Sequence, residues 1–173
     1  MLQLRSSTAR VLGLDVGGVL VERVAAGSDS SFFGDRPAET PMVAGALDAV
    51  RTLSSAFCGR VVIVSKAGPR VAMLTRTWLG EQGFLSADAV PSGAIHFVRR
   101  RVDKGQVCAA LGVTHFVDDR IDVHHALNSV TWRYLFLGGL GPYSEPPAVP
   151  SWLTATRNWP ETKRLILATL EPS

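Results

Sequence analysis

The fold is decided by residues 11–20, which read VLGLDVGGVL. Residues 11–14 are too few for a helix and predict a short strand that is buried on both faces. Asp15 follows this strand, and Gly17 and Gly18 then allow a sharp turn in which the backbone can approach a ligand closely. An ionised carboxylate at the end of a buried strand is costly unless it is paired or binds a metal. Asp15 is therefore either a turn-capping residue or part of a functional site, and motifs further along the chain favour the second.

The rest of the chain alternates apolar or β-branched runs with amphipathic segments. We predict further strands over 60–65, 94–98, 113–117 and 132–137, and helices over 41–53, 69–82, 104–111, 121–128 and 160–170. Thr40 is the expected N-cap of the first helix, with Pro41 at its first position. Such alternation predicts right-handed crossovers and a parallel sheet that helices cover on both faces.

The composition is typical of a compact globular protein. The 173 residues are 46% hydrophobic and 19% charged, which predicts one domain over 1–173 with a sizeable core. Within this domain we expect a short flap at about 22–40, and a tail with the closing helix at about 138–173. The Gly- and Pro-rich part of the tail, 138–150, is expected to lack regular structure.

Charge and hydropathy narrow the range of partners and compartments. The formal charge of +3 suits an anionic substrate but is too small to predict nucleic-acid binding. No apolar run is long enough to span a bilayer, and residues 1–10 lack the apolar core of a signal peptide. Cys58 and Cys108 fit no metal spacing and are typical of buried thiols in a reducing compartment. We therefore predict a cytoplasmic protein with no membrane partner.

Polar groups follow three of the five predicted strands. Asp15 comes after the first strand, Ser65 ends the second, and Asp118 and Asp119 follow the fourth. Ligands of an open parallel sheet bind beyond the carboxyl ends of its strands, and Lys104 opens a helix near the same edge. Carboxylates, a hydroxyl and an ammonium group that converge on one point are suited to binding Mg²⁺ and a phosphate.

This order of motifs resembles the haloacid dehalogenase-like (HAD) superfamily of phosphotransferases, and the match covers about residues 11–128. The resemblance implies a HAD-like Rossmannoid α/β fold, a three-layer sandwich with a five-stranded parallel sheet in the order 5-4-1-2-3. It also implies an aspartyl nucleophile that takes a phosphoryl group and then loses it to water. The last motif, residues 117–120, looks most like the nucleotidase-type branches, so the implied substrate is a nucleotide or another small phosphorylated metabolite.

The resemblance also implies a role for each motif residue. Asp15 looks like the nucleophile and a Mg²⁺ ligand, Ser65 like the hydroxyl that hydrogen-bonds the phosphoryl group, and Lys104 like the lysine that neutralises both. Asp118 and Asp119 resemble the acidic pair of the metal site, and we favour Asp119 as the direct ligand.

Four further residues are candidates for contact with substrate or metal. Gly17 lies where the family binds Mg²⁺ through a backbone carbonyl, and Gly17 and Gly18 together would bring the backbone close to the substrate. Lys66 and Arg70 are candidates to bind the phosphate or another substrate anion, with a solvated surface role as the alternative for each.

Gly17 is also the departure from the family's pattern. The family's phosphatases carry at this position an Asp that protonates the leaving group, and such general acid catalysis is typically worth ~10²–10⁴-fold. Hydrolysis of alkyl phosphates should therefore be badly impaired, whereas transfer from an acyl phosphate or anhydride should suffer less. Glu22 and Arg23, in the loop that follows, are the candidates to replace the missing acid.

The predicted function is that of a Mg²⁺-dependent phosphohydrolase or phosphotransferase acting through Asp15 on a small phosphorylated substrate. One alternative is a catalytically silent member of the family that binds a phosphorylated ligand or a protein partner. A second is a HAD-like enzyme that cleaves a bond other than a phosphoester. The short insertions predict an essentially capless protein with an open site, and capless relatives act on macromolecules or close the site by forming oligomers, so a homo-oligomer is a further prediction.

Overall fold

The structure is a computed structural model, and it describes residues 9–23, 39–140 and 145–171. Most of the predicted flap, residues 24–38, lies outside the described residues, so its lid-like role stays a prediction. Among the described residues, none of the helices combines the length and the apolar character that crossing a membrane requires.

Six parallel strands form one sheet in the order β3-β2-β1-β4-β5-β6. The strands are β1 (Leu12–Leu14), β2 (Val61–Lys66), β3 (Ile95–Val98), β4 (His115–Asp118), β5 (Trp132–Phe136) and β6 (Thr154–Thr156). The parallel α/β architecture is confirmed, and the first five strands lie in the predicted order. The prediction of a five-stranded sheet is wrong, because β6 adds a sixth strand beside β5.

The sixth strand carries little signal in the sequence. It is only three residues long, and Thr154 at its start is exposed. Its place depends on pairing with β5, where Tyr134 lies opposite Thr154 and Phe136 opposite Thr156. The Leu137 backbone N–H also donates to the Thr156 carbonyl at 2.7 Å. A short polar edge strand of this kind is formed by tertiary contacts and not by an apolar run of its own.

Helices cover both faces of the sheet. They are α1 (Ala46–Ala56), α2 (Pro69–Glu81), α3 (Lys104–Ala110), α4 (Ile121–Ala126) and α5 (Trp159–Ala168), with a 3₁₀ turn at Arg101–Asp103. One hydrophobic cluster joins the sheet to α1, α2 and α5, and includes Leu53, Trp78 and Ile166. A second cluster joins the sheet to α3 and α4 through Cys108 and Val123. The helices therefore form a layer on each side of the sheet.

The first helix begins five residues later than predicted, at Ala46, with Gly45 as its N-cap. The expected start at Pro41, capped by Thr40, is wrong because this segment pairs with the loop after β1 instead. Met42 forms an antiparallel bridge with Val21, and the Pro41 carbonyl accepts a hydrogen bond from the Glu22 N–H at 2.9 Å. Backbone groups used in this way are no longer available to a helix.

Candidate active site

The sheet brings two aspartates together at the carboxyl ends of its central strands. Leu14 of β1 pairs with Val117 of β4, so one step further along both strands places Asp15 beside Asp118. From β1 and β4 the sheet extends in opposite directions, with β2 and β3 beyond β1 and with β5 and β6 beyond β4. Ligands of doubly wound sheets bind at such a switch point, so the topology alone makes this the first place to look for a site.

Lys104 is buried between the two aspartates. Its Nζ lies 2.9 Å from Oδ1 of Asp15 and 2.7 Å from Oδ2 of Asp118. Gly105 allows α3 to approach this close to α4, because a Cβ at that position would lie 2.1 Å from the Ala126 carbonyl oxygen. The lysine therefore serves as the shared cation of two carboxylates on neighbouring strands.

The charges in this cluster shift one another's pKa values. Burial disfavours the Lys104 ammonium, but Asp118 and Asp15 outweigh that effect and raise its pKa. Burial raises the pKa of Asp118, and the nearby Lys104 opposes this rise. The ammonium is consequently charged at any physiological pH, and burial makes the Asp118 carboxyl harder to ionise than it would be in water.

Asp118 is fully buried and both of its oxygens have partners. Oδ2 accepts from Lys104, and Oδ1 accepts a hydrogen bond from the Arg120 backbone N–H at 3.0 Å. Its carbonyl oxygen also lies 3.2 Å from Nε2 of His124. Burial lowers the pKa of this histidine to about 4, so the ring is neutral at pH 7. These partners hold the buried Asp118 in place below the cavity.

Asp119 has a different environment, although it is the next residue along. It lines the cavity above the sheet, and its Oδ2 accepts hydrogen bonds from Nε of Arg23 at 2.8 Å and from the NH2 nitrogen of the same guanidinium. Burial raises the pKa of Asp119, with Asp15 adding to the rise and Arg23 opposing it.

The loop after β1 packs tightly on this carboxylate. Gly18 has a φ of +72°, and a Cβ there would lie 2.2 Å from Oδ2 of Asp119. Its N–H donates to the Val21 carbonyl at 2.8 Å, which closes the turn. Gly18 is therefore required by both backbone conformation and space, whereas Gly17 is not among the described glycines with a positive φ.

A cavity of about 160 Å³ opens at this edge of the sheet. Ser65 of β2 and Gly17 lie in its wall with Asp15. Five basic and two acidic side chains of the described residues line it: Arg23, Lys66, Arg101, Lys104 and Arg120, with Asp15 and Asp119. This excess of positive charge favours an anionic ligand.

Most of the predicted site residues meet in this cavity. Asp15, Gly17, Gly18, Ser65, Lys66, Lys104 and Asp119 all line it. Asp118 lies beneath it, and the three carboxylates offer oxygen atoms within 4.8 Å of one another. Arg70 is exposed at the start of α2 and does not line the cavity formed by the described residues.

Three arginines in the cavity wall were given little or no role in the sequence analysis. Arg23 was considered only as a substitute acid, whereas here it pairs with Asp119. The sequence makes Arg101 a candidate for phosphate contact only as part of a basic rim over 99–101 and gives Arg120 no role, and both lie in the wall. Arg120 directly follows the Asp118-Asp119 pair, so its position next to a motif is the one signal that identifies it.

Comparison with known proteins finds no family model that matches this chain and no curated protein that is significantly similar to it. What can be inferred about function therefore depends on the chemistry of this cavity.

Proposed function

We propose that this chain is a HAD-like phosphohydrolase or phosphotransferase that uses Mg²⁺ and passes a phosphoryl group through Asp15. The observation that carries the proposal is the meeting of Asp15, Ser65, Lys104 and Asp119 in one positively charged cavity at the switch point of the sheet. The cavity volume of about 160 Å³ is adequate for a phosphoryl group, since a cavity of ~150 Å³ can hold benzene.

The donor set fits a hard divalent cation. Mg²⁺ prefers oxygen ligands and is usually bound by one or two carboxylates together with substrate oxygens. Asp15 and Asp119 line the cavity, whereas Asp118 is fully buried and does not. We therefore assign Asp15 and Asp119 as the direct ligands, with Asp118 supporting them. Bound there, Mg²⁺ would neutralise charge on the phosphoryl oxygens.

In the first step Asp15 attacks phosphorus. Lys104 binds Oδ1 of Asp15, and the same oxygen would ligate Mg²⁺, so we assign the attack to Oδ2. A bond forms between Oδ2 and phosphorus, the bond from phosphorus to the leaving oxygen breaks, and the bonding pair stays on that oxygen. Ser65 and Lys104 hold charged phosphoryl oxygens, and such preorganised donors stabilise the transition state.

In the second step water attacks phosphorus and releases Asp15 with inorganic phosphate. A group that protonates the leaving oxygen would, in the reverse sense, also deprotonate this water. Gly17 has no side chain for either task, so breakdown of the phosphorylated Asp15 should be slow. An alternative acceptor that is more nucleophilic than water would then make the protein a phosphotransferase.

One observation favours a second candidate, a silent protein that binds a phosphorylated ligand. The Arg23 guanidinium occupies Oδ2 of Asp119, and Gly17 lacks an acid. Phosphate binding without turnover and without phosphorylated Asp15 would favour this candidate.

The test compares Asp15→Asn with a matched variant, Asp48→Asn. Asp48 is an exposed carboxylate of α1 that pairs with Lys163. With acetyl phosphate and Mg²⁺, the wild type and Asp48→Asn should release phosphate, and Asp15→Asn should be at background. Glycerol phosphate, whose leaving group needs a proton, should react poorly with all three proteins. Retained turnover in Asp15→Asn would refute the proposed role of Asp15.

A further inference from the structure

The described residues line a second cavity that adjoins the first. Its volume is about 360 Å³, more than twice the 160 Å³ of the first, and the two share Arg23, Asp119 and Arg120. A substrate with its phosphoryl group against Asp15 would therefore extend past Arg23 into this second cavity. The second cavity is in the position of a leaving-group pocket.

Four of the eight described residues that line the second cavity are apolar, and four are charged. The apolar ones are Ile121, at the start of α4, and Leu137, Leu140 and Pro147, from the chain that follows β5; the charged ones are Arg23, Asp119, Arg120 and Asp122. The volume lies within the range of about 300–1,000 Å³ that is usual for small-molecule sites. It is also well above the ~150 Å³ in which benzene is held. The pocket is therefore large enough for at least one ring, which the four apolar residues would contact.

Arg120, at the junction, favours a flat ring over an aliphatic chain. It binds Asp122 through Nε at 2.8 Å and through its NH2 nitrogen at 3.3 Å, one nitrogen to each carboxylate oxygen. Two contacts to one carboxylate hold a guanidinium plane in place. Guanidinium planes that are held in this way stack well on aromatic rings.

Gly17 supplies an independent constraint on the same leaving group. Without a general acid, the leaving oxygen must depart as an anion, so its conjugate acid has to be fairly strong. A phenol ionises with a pKa of about 10, as tyrosine does, and is a far stronger acid than an alkyl alcohol. The missing acid and the shape of the pocket thus point to the same chemistry.

We propose that the substrate of this site is a small aryl phosphate whose ring occupies the second cavity; this rests on the proposed function. Oδ2 of Asp15 bonds to phosphorus, the bond from phosphorus to the phenolic oxygen breaks, and the electron pair leaves on that oxygen. Arg23 lines both cavities, so its guanidinium stabilises the phenolate by charge and donates a hydrogen bond without losing its proton. Solvent protonates the phenolate after release, and water returns Asp15 as described above.

The test measures binding and turnover separately. Phenylphosphonate and methylphosphonate differ by the ring and cannot be hydrolysed at the P–C bond by this route. With Mg²⁺ present, isothermal titration of the wild type should show at least about tenfold tighter binding of phenylphosphonate, since even one methylene in an apolar pocket is worth about that much. In turnover, the ratio of kcat/KM for phenyl phosphate over acetyl phosphate reports the same pocket.

Two tryptophan variants test whether the second cavity is responsible for the preference for a ring. Leu140→Trp fills the pocket. It should reduce the affinity ratio of phenylphosphonate over methylphosphonate, and the kcat/KM ratio of phenyl phosphate over acetyl phosphate, at least about tenfold each. Val149→Trp adds the same indole to an exposed position of the same tail that does not line the cavity, and should keep both ratios. Should Leu140→Trp fail to fold, the phosphonate comparison on the wild type still decides.

Equal affinities of the wild type for the two phosphonates would overturn the aryl assignment. If acetyl phosphate still phosphorylated Asp15, the proposed function would stand without it. Ring-dependent binding without any phosphorylation of Asp15 would have the opposite meaning: the pocket would be a ligand site, and the proposed reaction would be wrong.

Discussion

Lys104 and Arg23 neutralise the same acidic cluster in opposite surroundings. The Lys104 side chain is 2% exposed and lies between Asp15 and Asp118, whereas Arg23 is 42% exposed and pairs with Asp119. Breaking a buried pair typically costs about 3–5 kcal/mol, and a fully exposed pair contributes only about 0–1 kcal/mol. The Arg23 pair lies between these limits, because Asp119 is only 8% exposed. The Lys104 contact therefore builds the site, and the Arg23 contact, with its guanidinium partly in water, can be exchanged for a metal ion or a substrate.

The largest effect is expected from Lys104→Met. It should lower the free energy of unfolding by about 3–5 kcal/mol and abolish phosphoryl transfer, because two buried carboxylates lose their shared cation. Denaturant unfolding measures the first effect. The matched control is Lys163→Met, which removes an exposed contact to Asp48 at 3.2 Å and should cost less than about 1 kcal/mol. Similar losses of unfolding free energy in Lys104→Met and Lys163→Met would contradict the proposed difference between the buried and the exposed contact.

The loss in Lys104→Met should depend on pH. Burial raises the pKa of Asp118, and Lys104 opposes this rise. Because Lys104→Met removes the ammonium that binds Oδ2, the pKa of Asp118 should rise further in the variant. A carboxyl with a raised pKa binds its proton more tightly in the folded than in the unfolded state, so the variant should regain stability relative to the wild type as pH falls from neutral towards about 4. Unfolding curves at several pH values test this, and a deficit that does not shrink on acidification would contradict it.

Gly17→Asp tests whether the missing general acid limits the activity of the site. Its carboxyl should raise hydrolysis of alkyl phosphates by about 10–10³-fold, below the full general acid range because the surroundings are not tuned for it. Acetyl phosphate should gain far less, since acetate leaves without a proton. The described φ values impose no requirement for glycine at this position. A folded, Mg²⁺-binding Gly17→Asp protein with no gain on any ester would show that the missing acid does not limit activity.

The smallest effect concerns the exchange of Arg23 for a metal. Mg²⁺ should raise the melting temperature of the wild type by mass action. Arg23→Gln should tighten the apparent Mg²⁺ affinity by about three- to tenfold, because it removes roughly 1 kcal/mol of repulsion between cations. Arg51→Gln, which removes an exposed contact to Asp88, should leave the Mg²⁺ affinity unchanged. A flat melting response up to millimolar Mg²⁺ would contradict an assembled metal site.

The core of the site was predictable because strand ends carry strong signals. Asp15, Ser65 and Asp119 each follow or end a strand made of apolar or β-branched residues. In a parallel sheet the carboxyl ends of all strands lie at one edge, so sequence position translates directly into spatial proximity. Lys104 was predictable for the same reason, as the first residue of a helix that begins near that edge.

Features that depend on tertiary contacts were not predictable. The helix start at Ala46 depends on Met42 pairing with Val21, a contact between two loops. The strand β6 depends on its register with β5. Arg23 and Asp119 are 96 positions apart in the sequence, and no local sequence pattern predicts a contact between residues so far apart. Arg70 fits the pattern of a phosphate-binding residue next to a helix start, yet its side chain is exposed outside the cavity.

The most direct test of the central claim is to find the phosphoryl group on Asp15. The wild type is mixed with acetyl phosphate and Mg²⁺, quenched in acid, digested and analysed by peptide mass spectrometry. Because Gly17 leaves the second step without a base, the phosphorylated form should accumulate, and the added phosphoryl mass should map to Asp15 and be absent in Asp15→Asn. Turnover of acetyl phosphate with the phosphoryl group on another residue, or on none, would contradict the account.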